Sequence, residues 1–91
     1  MKYSKIYIHG NTVTPDDVEE AILKETYIKL GAKILICHLT LTNGFECTGQ
    51  AGVVDPEKFD MEIGSDIARK DALGDVWFHL GSILQNKLCA K

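Results

Sequence analysis

The spacing of apolar residues changes character twice along this chain, and each change marks a predicted element. Between Val13 and Glu25 the apolar positions Val18, Ala21 and Ile22 fall three and four residues apart, the stripe of a short amphipathic helix over 14–25. Lys33–Leu41 is instead a run of β-branched and large apolar residues, the composition of a buried strand. Asn43-Gly44 follows, a pair that tolerates the positive φ of a tight turn, and Phe45–Ala51 reads as the returning strand of a hairpin over 33–52. Beyond Asp55-Pro56 the period becomes helical again. Phe59, Ile63 and Ile67 recur every four residues, and Leu73, Val76, Trp77, Leu80, Ile83, Leu84 and Leu88 continue at three- and four-residue steps. The region 56–88 is therefore helical, with a short turn from Pro56 and a long helix from about Met61 to Lys87. Gly64, Gly74 and Gly81 interrupt that pattern, each at about 1 kcal/mol relative to Ala, and so mark a break or a close helix contact.

Helix starts are well punctuated. Thr14 is placed to cap the free amides, with Pro15 at the first helical position and Asp17 three residues after the cap. Val13 and Val18 have the spacing of a hydrophobic staple, and Asp16, Asp17, Glu19 and Glu20 suit the positive end of the helix dipole. Asp55-Pro56 repeats the cap-then-proline pattern. Tyr27–Leu30 is a candidate extended segment, and residues 1–12 form an arm or a short strand at Lys5–His9.

A two-residue loop at Asn43-Gly44 would place Thr42 opposite Phe45, Thr40 opposite Cys47, Leu39 opposite Thr48 and Ile36 opposite Ala51. One sheet face would then carry Ile34, Ile36, His38, Phe45, Cys47 and Ala51, and the other Leu35, Cys37, Leu39 and Leu41. With both faces apolar, the hairpin asks to be covered twice. Helices of one small chain cover one face, and a second subunit is the simplest cover for the other. The expected fold is one α+β domain: N-terminal helix, central antiparallel hairpin or small sheet, and long C-terminal helix, assembled as an obligate-type homo-oligomer.

Composition narrows the function classes. A chain of 91 residues has room for one core. Its net charge of -3 gives no global attraction to nucleic acid or anionic lipid. Three cysteines, Cys37, Cys47 and Cys89, are odd in number and lack Cys-x-x-Cys spacing, against a secreted disulfide scaffold. The opening Met-Lys-Tyr-Ser-Lys has no signal-peptide core and no segment has the length of a membrane span, so the expected location is cytoplasmic.

Candidate chemistry is sparse. Cys37 and His38 point to opposite faces of a strand, and His38 with Cys47 lacks a third metal ligand, so no metal site is expected. The same pair could in principle lower a thiol pKa, but nothing around it reads as an orienting acid or oxyanion hole. The carboxylates at Asp55, Glu57, Asp60, Glu62 and Asp66 mostly fall in opening turns of helices, where capping and the dipole account for them. Gly44, Gly49 and Gly52 lack the Lys and Ser/Thr of a phosphate loop. No catalytic residue and no cofactor are assigned. Lys33, Phe45, Arg69 and Lys70 are the candidates for contacting a small anionic ligand, with Phe45 able to stack a base.

The order Leu39-Thr-Leu-Thr-Asn-Gly-Phe45, Gly49-Gln-Ala51, Val54-Asp-Pro-Glu-Lys-Phe59-Asp60, Glu62-Ile-Gly64, Ile67-Ala68, Asp71-Ala72 and Trp77 resembles a family of small tailed-phage proteins. The family is named after gene product forty-nine of one enterobacterial phage and gene sixty-six of another. The likeness spans about Thr14 to Leu88 and departs from the family pattern at Phe78–Ile83, after the tryptophan. It implies a phage or prophage origin and carries over no catalytic residue. Two functions are consistent with it: a non-enzymatic accessory protein acting in the host cytoplasm by stoichiometric binding of a host protein, of the host-takeover or anti-defence kind, or an oligomer that sequesters a small anion such as a cyclic nucleotide signal in inter-subunit clefts.

Overall fold

The computed structural model describes residues 2–89 and has the expected α+β order. Helix α1 (Pro15–Glu20) leads into strands β1 (Ile22–Leu30), β2 (Ile34–Leu41) and β3 (Glu46–Gly52). A 3-10 turn at Pro56–Lys58 precedes the long helix α2 (Met61–Cys89). The sheet is antiparallel in the order β1-β2-β3, and α2 lies across one face of it. The molecule is thin, with extents of 55 × 27 × 17 Å, as one helix on one sheet requires.

The caps form as read. The Thr14 side chain accepts from the Asp17 amide at 3.2 Å, and Asp17 Oδ2 accepts from the Thr14 amide at 3.0 Å, a reciprocal capping box. Asp55 opens only the 3-10 turn, and Asp60 caps α2 by accepting from the Glu62 and Ile63 amides. Helix α1 stops at Glu20, short of the expected end near Glu25. The chain turns at Ala21 because Thr26, Tyr27 and Ile28 gain a full ladder against β2, which outweighs one more helical turn. Strand β1 therefore begins at Ile22, well before Tyr27. Residues 2–12 contain no strand. They form an extended arm held by the Ser4 amide on Thr42 O and by burial of Ile8.

The hairpin register differs from the expected one by one residue. Leu39 lies opposite Cys47, Cys37 opposite Gly49 and Leu35 opposite Ala51. The loop has three residues: Gly44 N donates to Leu41 O and Leu41 N to Phe45 O, and Gly44 alone takes a positive φ, of 90°. Asn43 keeps a negative φ and accepts the Phe45 amide on Oδ1. This slip moves Cys47, Gly49 and Ala51 onto the same face as Leu35, Cys37, Leu39 and Leu41, all of them buried. The opposite face carries Ile34, Ile36 and His38 beside Glu46, Thr48 and Gln50. The expectation of two apolar faces is thus corrected: β3 alternates buried and exposed along its whole length.

Helix α2 meets the sheet through Gly64, Ala68, Ala72, Val76, Leu80 and Leu84. Small residues at the first three positions let the helix approach β3 closely. A Cβ on Gly49 would lie 2.1 Å from the Ala72 amide nitrogen and 2.4 Å from Ala68 O, so the helix backbone rests directly on this strand position. Asp71 Oδ2 also accepts the Gln50 amide at 3.0 Å, satisfying a donor on the free edge of β3.

Candidate functional site

The four residues singled out as ligand contacts are not brought together within one protomer. Lys33 sits in the β1–β2 turn and Phe45 at the opposite end of β2, about 26 Å of strand away. Lys70 is exposed on α2. Arg69 is half-buried, and each of its three guanidinium nitrogens makes a hydrogen bond. Its Nη1 and Nη2 donate to the Glu19 carboxylate at 3.1 and 2.8 Å, and its Nε donates to Glu25 Oε1 at 3.0 Å. Tyr27 donates to the other Glu25 oxygen at 2.8 Å. Arg69 therefore ties α2 to both α1 and β1. Its hydrogen bonds hold the Glu19 carboxyl below its ordinary 4.5, and Glu19 and Glu25 in turn raise the guanidinium's already high pKa.

A depressed carboxylate pKa stabilises the fold above the unfolded value, and that contribution is lost as pH falls through the folded value. The three side chains are 28–54% exposed, which limits the pair to about 1 kcal/mol. Arg69→Met is expected to lower urea-unfolding stability by that amount at neutral pH. The difference from wild type should close as pH falls below the ordinary carboxylate range; a difference that persists there would assign it to packing.

Cys37 and Cys47 are buried as small apolar groups, whereas Cys89 is exposed. Burial pushes the Cys37 and Cys47 thiols up, with Asp75 adding to the effect at Cys47. Cys47 faces α2 and His38 the outer sheet face, so the shared face expected for this pair does not exist. His38 instead bonds Glu46 Oε1 at 2.7 Å. Among the described residues, His9, Asp17 and Glu20 place ligand-type atoms within 4.8 Å of one another. Asp17 is occupied by the capping box and Glu20 by His9, at 2.9 Å, so the cluster serves to pin the arm to α1.

Three surfaces remain. An open groove of about 710 Å³ wraps the edge of β3, lined among others by Phe45, Glu46, Asp75, Phe78 and His79. Phe45 stacks on His79 at 4.1 Å and 8°, and the His79 Nε2 is buried without a partner among the described residues. Neighbouring it, the outer face of α2 exposes Trp77 and Phe78, the latter at 84%, and the half-exposed Ile63 and Ile67 flank it beside the end of β3 at Gly52 and Val53. A third apolar area lies on the outer sheet face, where Ile28 (51% exposed) and Leu30 (62%) pair with Ile36 and Ile34. The β1 pattern makes this area legible in hindsight, since Ile28 and Leu30 alternate with Tyr27 and Lys29. The Phe45–His79 stack and the Arg69 clamp had no local signal.

No helix among the described residues is long and apolar enough to cross a membrane. Comparison with curated proteins and with solved structures finds no match. The model of the Phage protein (N4 Gp49/phage Sf6 gene 66) family matches residues 13–88, which takes in α1, the whole sheet and nearly all of α2. The chain belongs to that phage protein family.

Proposed function

We propose that this phage protein is a non-enzymatic accessory factor that acts in the host cytoplasm by stoichiometric binding of a host protein. The observation that carries this reading is the aliphatic patch of Ile28, Leu30, Ile34 and Ile36. A solvated antiparallel face ordinarily carries polar residues, as β3 does with Glu46, Thr48 and Gln50. Here four aliphatic side chains form two facing cross-strand pairs beside the unpaired edge of β1. A rigid apolar patch next to free strand donors and acceptors suits a protein partner. The small-anion reading has less support in the geometry: Arg69 is neutralised by two carboxylates, and Glu46 and Asp75 line the groove beside Phe45.

Affinity capture from infected cells, followed by calorimetry with the purified partner, tests the proposal. The wild type should retain one host protein at a fixed molar ratio. Ile28→Lys/Leu30→Lys, whose side chains are largely exposed, should fold normally and lose it by at least tenfold. Equal binding by this variant, or no specific partner for the wild type, would overturn the proposal.

A further inference from the structure

We infer that the outer face of α2 is a self-pairing surface, and that two copies of this chain associate through it with their α2 helices antiparallel. Four observations point to a second copy. The first is glycine. Gly74 and Gly81 lie inside a 29-residue helix, and a Cβ at either would meet nothing within 4 Å. Each costs the helix about 1 kcal/mol relative to Ala, and nothing among the described residues of the protomer requires it. A helix approaching from outside would, because a small residue at that point lets two backbones come close.

The second is relief. Gly74, Trp77, Phe78 and Gly81 stand at positions i, i+3, i+4 and i+7 and surround an apolar hollow of about 610 Å³. Four residues at that spacing form the hole that accepts a knob from a facing helix. Phe78, 84% exposed, is a knob with no hole in its own protomer.

The third is symmetry, and it selects the occupant. About its centre between Trp77 and Phe78, the face from Ile67 to Leu88 matches aromatic with aromatic, glycine with glycine and aliphatic with aliphatic, with Lys70 against the neutral Gln85. About that point a two-fold axis puts Trp77 opposite the second copy's Phe78, Gly74 opposite Gly81, Lys70 opposite Gln85 and Ile67 opposite Leu88. Each residue on this stripe meets another from the same stripe, as an isologous interface demands. Phe78 enters the hole between the facing Gly74 and Gly81, large ends meet large ends, and no like charges face each other. A parallel pairing would instead oppose Lys70 to Lys70.

The fourth is area. The stripe is about 32 Å long and about 12 Å wide in projection. With its protruding rings it amounts to on the order of 500 Å² per copy, and a pair reaches the roughly 1,000 Å² that a specific interface needs.

The pairing also bears on the β3-edge groove. Phe78 lines both surfaces, so in the pair the second copy's Trp77 stands at the groove's rim. None of this depends on the host-protein reading, because the patch at Ile28 and Leu30 lies on the far side of the sheet.

Sedimentation equilibrium over a micromolar range tests the pairing. Wild type should run at twice the chain mass. Phe78→Glu and Gly81→Leu should each run at the chain mass with an unchanged circular dichroism spectrum, since neither site contacts the protomer's own core. Gly81→Leu should also melt no lower than wild type measured under dissociating dilution. A wild-type monomer at every concentration would overturn the inference, as would a dimer that survives both substitutions. Ile28→Lys/Leu30→Lys should remain a dimer, so failure of the host-protein reading stays separable from failure of this one.

Discussion

Gly49→Ala is expected to be the most damaging single-atom change in this protein. The added methyl carbon would stand 2.1 Å from a backbone nitrogen and 2.4 Å from a backbone oxygen of α2, both rigid parts of a helix interior. Relief requires lifting α2 off β3, which separates Ala68 and Ala72 from Cys37, Cys47 and Ala51, all in one buried cluster. Overpacking of this kind costs about 3 kcal/mol. For a domain this size that lowers the melting temperature by about 15 °C, and Gly49→Val should leave no cooperative transition at all. Gly52→Ala is the control, since its nearest contact beyond 3 Å is the flexible end of Ile34. Calorimetry on the three variants checks the ordering.

The second large effect tests the hairpin register. Leu39 is fully buried against α2, whereas Ile36 lies on the outer face and is only half-buried. Leu39→Ala should cost about 3 kcal/mol, the usual range for a core leucine, and Ile36→Ala less than half as much. In the two-residue-loop register Ile36 would share its face with Cys47 and Ala51. Equal losses at the two positions by urea unfolding would therefore contradict the observed face assignment.

Much of this fold is legible in the chain, for local reasons. The Thr14 cap, Pro15, the hairpin turn and the apolar period of α2 all depend on residues within a few positions of one another. The register is a subtler case. Asn43-Gly44 suits a two-residue loop and also a three-residue loop that needs a positive φ only at Gly44. The deciding signal is in β3, where the small residues Cys47, Gly49 and Ala51 alternate with Glu46, Thr48 and Gln50. Keeping that polar set in solvent selects the observed pairing. Gly49 has a signal too, as a glycine inside a strand often marks a close backbone approach.

The site residues are less legible because their partners are distant. Arg69 meets Glu19 and Glu25 across 50 and 44 positions, so its charge looks available in the chain and is spent in the fold. Phe45 finds His79 only after α2 folds back over the hairpin. The corrected register leaves one sheet face partly polar, and the case for assembly moves from the hairpin to the outer face of α2.

Cross-linking across the α2 seam tests that case most directly. In a Cys89→Ser background, with Cys37 and Cys47 buried, the double variant Lys70→Cys/Gln85→Cys is exposed to mild oxidation and run on a non-reducing gel. The antiparallel pairing predicts rapid, near-complete dimer from the double variant and little from Lys70→Cys alone. A covalent dimer from Lys70→Cys alone as fast as from the double variant, or none from either, would contradict it.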